Sequence, residues 1–403
     1  MKKLIAISVV FALVVGAAFA QPSVGGSLGS KIVLIQSDSQ DDARLWGGIQ
    51  FNNNHVNVSY TNSDGTAGGL VRLQAHSVPS WRGTIPFAFG WWKPIPQLRV
   101  QIGHNPDGDF GAAQITGWGF NAEAQDSAAI DQDSGDTGTN GWKAARRAGF
   151  YGGYSEFGAT LSIYPMDGLT INLVLPFGNG RTDGTPNQYN SYSQTGVGDI
   201  YSKFHLNVVY NIPDIGAVRI TFQGTGGLAD NDDYPAKVSV GNIFASFYLT
   251  AVEGLNADIG VAYGLPYENA DSVEGVNGQG LGIGLGVRFT SGDFGIKFRA
   301  GAQLARTSAA GGELVNQDTV IGVGILPYFN VAGMAIYLNA GFGMSIPDDS
   351  DADSVVDWFV NPYIRKSVSN FTLYAGLKIW SDGVPADDAI VRWAIPVGFN
   401  AYF

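Results

Sequence analysis

Apolar and polar residues alternate along this chain in short, repeated segments. In residues 199–210, Ile200, Ser202, Phe204, Leu206, Val208 and Tyr210 hold one set of positions, and Asp199, Tyr201, Lys203, His205 and Asn207 hold the other. A period of two belongs to a β-strand, whose successive side chains point to opposite faces. The pattern returns at 217–223, where Val218, Ile220 and Phe222 alternate with Arg219, Thr221 and Gln223. It returns at 293–304, with Phe294, Ile296, Phe298, Ala300 and Leu304 against Asp293, Lys297, Arg299 and Gln303. From residue 85 onward the alternation predicts fifteen strands: 85–93, 97–104, 147–164, 168–175, 197–210, 216–224, 236–250, 255–264, 279–290, 294–305, 318–330, 333–344, 355–366, 370–380 and 389–403. Most have the length that a tilted strand needs to cross a hydrocarbon layer. Gly280, Gly282, Gly284 and Gly286 alternate with Leu281, Ile283, Leu285 and Val287. No Lys-Ser or Lys-Thr pair follows them, so they read as a strand with glycine on one face rather than a phosphate-binding loop.

The connections alternate as well. Tight ones fall at 93–97, 165–168, 211–215, 252–254, 291–292, 331–332 and 367–369, and long polar ones at 105–146, 176–196, 225–235, 265–278, 306–317, 345–354 and 381–388. At the start of the chain, Lys2 and Lys3 precede an apolar stretch from Leu4 to Val15 that ends in Ala18, Phe19 and Ala20. This is the pattern of a cleaved secretory signal, so residues 1–20 are expected to be removed and 21–403 to form a single domain. The last strand carries Val391, Trp393, Ile395, Val397, Phe399, Ala401 and Phe403 on one face.

A signal peptide, paired short and long connections, no Cys and a final strand that ends in Phe403 together resemble the Gram-negative outer-membrane β-barrel proteins of porin type. The resemblance implies an all-β transmembrane antiparallel barrel with short periplasmic turns and long extracellular loops. It implies further that Trp393, Phe399 and Phe403 form a signal read by the barrel-assembly machinery, that outer-membrane lipid surrounds the wall, and that the chain forms a homotrimer as many porins do. With the chain end in the periplasm the strand count is even, which requires one or three strands before residue 85 and a total of 16 or 18. Segments near 28–36, 44–51, 55–61 and 68–75 compete for those places.

Composition agrees with a barrel. The chain has 403 residues, 45% hydrophobic and 14% charged, with 56 Gly, 23 Phe, 17 Tyr and 9 Trp. That aromatic content excludes a disordered chain, and a mean hydropathy of +0.05 excludes a bundle of membrane helices. Trp91, Trp92, Tyr164, Tyr210, Phe289, Phe329 and Phe403 stand beside turns or at the terminus, where an interfacial girdle is expected. Removing Lys2 and Lys3 leaves 21 basic against 35 acidic side chains, a formal charge of −14, and nucleic acid is excluded as a partner on that balance.

The charges are unevenly placed. Alternation puts Lys31, Arg44, Arg72, Arg99, Lys203, Arg219, Arg288, Lys297, Arg299, Arg365, Lys378 and Arg392 on the face away from lipid, with His205 among them. Only Glu156, Asp199, Asp258, Asp293 and Asp357 share it, whereas Asp230, Asp232, Asp233, Asp348, Asp349, Asp351 and Asp353 belong to long connections. A basic lumen beneath an acidic rim is therefore predicted, and fixed charge along a pore biases which ions enter. The 105–146 connection carries Asp107, Asp109, Glu123 and Asp126. By its length it resembles the loop that narrows porin lumens; either that placement or a surface loop is open.

Other chemistry finds little support. The four histidines, His55, His76, His104 and His205, lack an evident nucleophile partner. Asp349, Asp351 and Asp353 alternate as calcium ligands do, without the turn Gly and closing Glu of a calcium loop. No metal or cofactor is expected. The reading is a channel for small hydrophilic solutes with a weak anion preference. Its alternatives are a surface-exposed structural or adhesin barrel with a plugged lumen, a hydrophobic-solute transporter, and a barrel hydrolase.

Overall fold

The computed structural model describes residues 22–38, 49–50, 54–76, 82–104, 157–178, 204–224, 239–266, 277–308, 314–316, 319–348, 351–385 and 391–403. Eighteen antiparallel strands run in chain order around a closed barrel, from Ser23–Asp38 to Val391–Tyr402. Three of the eighteen comprise two described segments each. Ile49–Gln50 and Asn54–Thr61 both pair with Ser23–Asp38 and make a single strand, which settles the competition among the early segments. Leu314–Asn316 continues into Thr319–Val331 in the same way against Phe294–Ser308. Phe371–Gly376 continues into Lys378–Pro385 against Val355–Val368. Three strands thus precede residue 85, and the higher of the two expected counts holds.

Closure joins the first strand to the last. Ser27 lies opposite Tyr402 and Asp38 opposite Arg392, with one irregularity between Val33 and Ile35. Beyond Tyr402 the seam is finished by backbone bonds: Gly26 N–H donates to the Phe403 carbonyl at 2.8 Å, and Phe403 N–H donates to the Gly26 carbonyl at 3.1 Å. A sheet closed on itself leaves no row of unpaired peptide groups, which is the condition for placing strands in lipid. Among the described residues no helix is long and apolar enough to cross a membrane.

Eight tight connections, at residues 62–66, 96–97, 167–168, 213–215, 253–254, 292–293, 332–333 and 369–370, follow every second strand and so share one rim. Asp293 sits in one of them, exposed, and not on the lumenal face where alternation had put it; the strand begins only at Phe294. Several strands also outrun their expected ends. Lys378–Pro385 and Leu314–Asn316 extend into stretches that looked like loops. The polar Ser381 is buried there, its hydroxyl accepting a hydrogen bond from Trp358 N–H at 3.3 Å, so it continues the strand without facing water.

The two faces of the wall differ as alternation requires. Leu326 is fully buried on the inner face, while its neighbour Ile325 is 38% exposed on the outer one. Ile220, Ile259, Leu338, Ile364 and Leu373 are likewise exposed outward, an apolar surface that a water-soluble protein would cover. Inside, five glycines face one another across successive strands: Gly260 opposite Gly284, Gly284 opposite Gly301, Gly301 opposite Gly322, and Gly322 opposite Gly343.

Candidate functional site

The inner wall is where chemistry concentrates. Arg72, Arg99, Arg219, Arg288, Lys297, Arg299, Arg365, Lys378 and Arg392 carry the inward parity of their strands, and Lys297, Arg299 and Lys378 are buried there. Register brings several of these cations together. Arg288 lies opposite Lys297, and Arg299 opposite Gly286, whose other neighbour is Asp258. Asp258 is the buried inward carboxylate among the described residues. Lys31 and Asp357 stand at inward positions of their strands. Arg44, Glu156, Asp199, Lys203 and the loop acids Asp107, Asp109, Glu123 and Asp126 lie outside the described residues. His205 is inward and buried, opposite Val174.

Each cation is held by what its neighbours offer. Arg72 Nε donates to Asn57 Oδ1 at 2.8 Å. Arg99 donates to the Gln101 side-chain oxygen Oε1 and lies 5.2 Å from the centroid of the Trp91 ring, with Lys93 Nζ 5.5 Å from the same ring. Trp91 therefore faces inward as a cation–π partner and is not part of an outer girdle. Trp92, Tyr210, Phe289, Phe329 and Phe403 are exposed on the outside. Tyr164 is half-buried. Phe399 stacks on Phe371 of the adjacent strand at 5.4 Å, and Trp393, further up the last strand, is half-buried.

The inner wall also holds groups that charge alone does not reveal. Tyr328, Tyr337 and Tyr363 stack across three strands, at 5.4 Å and then at 4.6 Å with rings 4° apart. Phe359 and Trp380 are paired and buried. On another arc Asn207 Nδ2 donates to Thr221 Oγ1 at 2.8 Å, both buried. The inner face is thus a basic lining interrupted by an aromatic row and a neutral amide and hydroxyl row. Among the described residues no group of three or more His, Asp or Glu is arranged to hold a metal ion.

Solved structures that share this architecture include outer-membrane channels and porins. The chain is similar to OccK10 (OpdN) of Pseudomonas aeruginosa, with a TM-score of 0.52 at 12% identity over 95% of this chain and 100% of that one. It is similar to the outer-membrane channel DcaP of Acinetobacter baumannii, with 0.51 at 12% identity over 96% and 98%. An anion-selective porin from Comamonas acidovorans aligns with 0.50 at 11% identity over 95% and 99%. The fold is that of an outer-membrane porin. No family model matches the chain, and no curated protein matches it by sequence. What ties it to the porin fold is therefore the strand arrangement, spanning nearly the whole of both chains.

Within that fold, reasoning from charge alone passed over Tyr363, Phe359 and Asn361, as well as Tyr374 and Trp380. Their signal was parity: the first three share the inward positions of Arg365, the last two those of Lys378. Reading aromatic side chains as lipid-facing hid them.

Proposed function

We propose that this protein is an outer-membrane channel through which small hydrophilic solutes diffuse, with a weak preference for anions. What supports the anion preference is the sign of the inner wall, where Lys31 and nine further described cations hold inward positions against Asp258 and Asp357. A charged lining acts on ions in confined water, where screening is weaker than in bulk. Asp348, Asp351 and Asp353 are exposed near the rim of the long connections and enrich cations there, so the preference is weak and not strict. Porins are passive, and the inward positions of the described strands carry cations, amides, hydroxyls and aromatics of the kind that line a pore. On this reading residues 1–20 are a cleaved export signal, the tight connections face the periplasm and the long ones the cell exterior.

Purified protein in a planar bilayer tests the proposal. Stepwise conductance that scales with salt is expected, with a zero-current potential of anion-selective sign in a salt gradient. A folded barrel that inserts without conducting would favour the plugged structural or adhesin reading.

A further inference from the structure

Lys366 stands on the outside of the barrel. In Val355–Val368 its neighbours of the same parity, Ile364 and Val368, are 48% and 57% exposed on the outer wall, and its partners across the sheet, Met334 and Leu373, share that face. Lys366 is itself exposed, and no carboxylate pairs with it among the described residues. In the halves of the strands nearest the tight turns, the other described Lys, Arg, Asp and Glu residues hold inward positions, as Arg99, Arg219, Asp258, Arg288 and Arg365 do. A charge on the lipid face is costly at mid-depth and tolerated near an interface. Lys366 is therefore the exception that needs a counter-charge from outside the chain.

Its depth follows from the strand ends. Tyr210, Phe289 and Phe329 are outward aromatics two residues before the last residue of His205–Ile212, Asn277–Ser291 and Thr319–Val331, and Lys366 holds the same place in Val355–Val368. That row is the interfacial girdle, where an amine reaches the headgroups while its methylenes lie on apolar wall. Ile336, Ile364, Phe371 and Leu373 supply the wall, all exposed. The rim beside it is free of acidic side chains. Asp64, Asp167, Asp214, Glu253 and Asp293 sit in tight connections elsewhere, whereas the two nearest to Lys366 hold Ala332 and Gly333, and Ser369 and Asn370. The terminal carboxylate of Phe403 is two strands away and four residues beyond Phe399, which is level with Lys366 through Leu373.

These surroundings select the occupant. A phospholipid brings a phosphate to the level of Lys366. Where its headgroup also carries an ammonium, that group needs an acceptor, and the two nearest turns have no carboxylate to offer. A headgroup of net negative charge needs only the cation. A second copy of the chain fits less well, because the described outer wall in this half of the barrel has no carboxylate to meet Lys366. We propose that Lys366 is the phosphate contact for an anionic phospholipid without an amine, of the phosphatidylglycerol type, whose acyl chains lie on Ile336, Ile364 and Leu373. The identity of the leaflet rests on the reading of the tight turns as periplasmic, but lipid binding can be measured without conduction.

The test is native mass spectrometry of the full chain, folded in detergent, with phosphatidylglycerol, phosphatidylethanolamine and lipid A. Phosphatidylglycerol is expected to be retained about fivefold over phosphatidylethanolamine, the worth of one basic side chain at an anionic surface. Lys366→Gln should bring the two to equal retention and Lys366→Arg should keep the preference, both variants migrating as heat-modifiable folded barrels. Equal retention by the native chain, or a preference that survives Lys366→Gln, would overturn the site. Lipid A retained over phosphatidylglycerol through Lys366 would overturn the lipid assignment and reverse the orientation of the tight turns. Loss of a multimer in Lys366→Gln with lipid retention unchanged would overturn it in favour of a second copy. Lipid binding as expected by a barrel that does not conduct would support the site and remove only the channel reading.

Discussion

Asp64 shows how one residue shapes a turn. It lies in the connection between Asn54–Thr61 and Ala67–His76, fully exposed, and its carboxylate accepts hydrogen bonds from the Thr66 hydroxyl at 2.7 Å and the Thr66 N–H at 3.1 Å. Those bonds favour the ionised form and hold its pKa below the ordinary value of 3.8. The support that Asp64 gives the turn is therefore present above that ordinary value and fades as pH falls through the lowered one. Titration of the folded barrel by NMR should place the Asp64 midpoint below 3.8, and Thr66→Val should move it back upward. An unmoved midpoint in the variant would show that the hydroxyl bond is not the cause. None of this was legible from the sequence, where Asn62 to Thr66 reads as a generic polar turn. Turn bonds depend on local backbone geometry that alternation does not encode.

The element that decides closure is the seam between the first and last strands. Gly26 is needed there because a Cβ at that position would stand 2.3 Å from the His55 carbonyl oxygen and 2.8 Å from Phe403 Cζ. The terminal ring thus occupies the space that a side chain on Gly26 would take. Deleting Phe403 removes both the ring and the two backbone bonds to Gly26, and Gly26→Val forces the ring and the neighbouring backbone apart, an overpacking worth about 1–3 kcal/mol. Each change should lower the yield of heat-modifiable folded barrel from outer membranes. Wild-type yield and migration in both would mean that the seam closes without its last residue. That the chain ends on an outward aromatic could be read from alternation, and so could fifteen of the strands. That Ile49–Gln50 and Asn54–Thr61 pair with the same strand could not, since their registers differ by one residue and each segment looks complete by alternation.

For the whole molecule the question is which solutes the lumen favours, and Arg99, Arg219 and Arg299 test it together. Replacing all three by Gln should shift the zero-current potential toward cation selectivity, since three inward positive charges are removed without shortening the strands. A potential that stays put would locate the selective part of the lumen elsewhere. The sign of the lining was legible because charge must leave the lipid face, and strand parity says where it goes. The aromatic and amide rows were not, since Tyr363 or Asn361 is tolerated on either face of a strand near a rim, and only register shows that they meet. Register also aligns Gly260, Gly284, Gly301, Gly322 and Gly343 across five strands. With only hydrogen at each position, no side chains brace those strands against one another, and glycine is where barrel sheets turn corners. The hoop is therefore most compliant along that line, so lateral pressure from the bilayer should make the cross-section oval there first, coupling the width of the lumen to membrane tension.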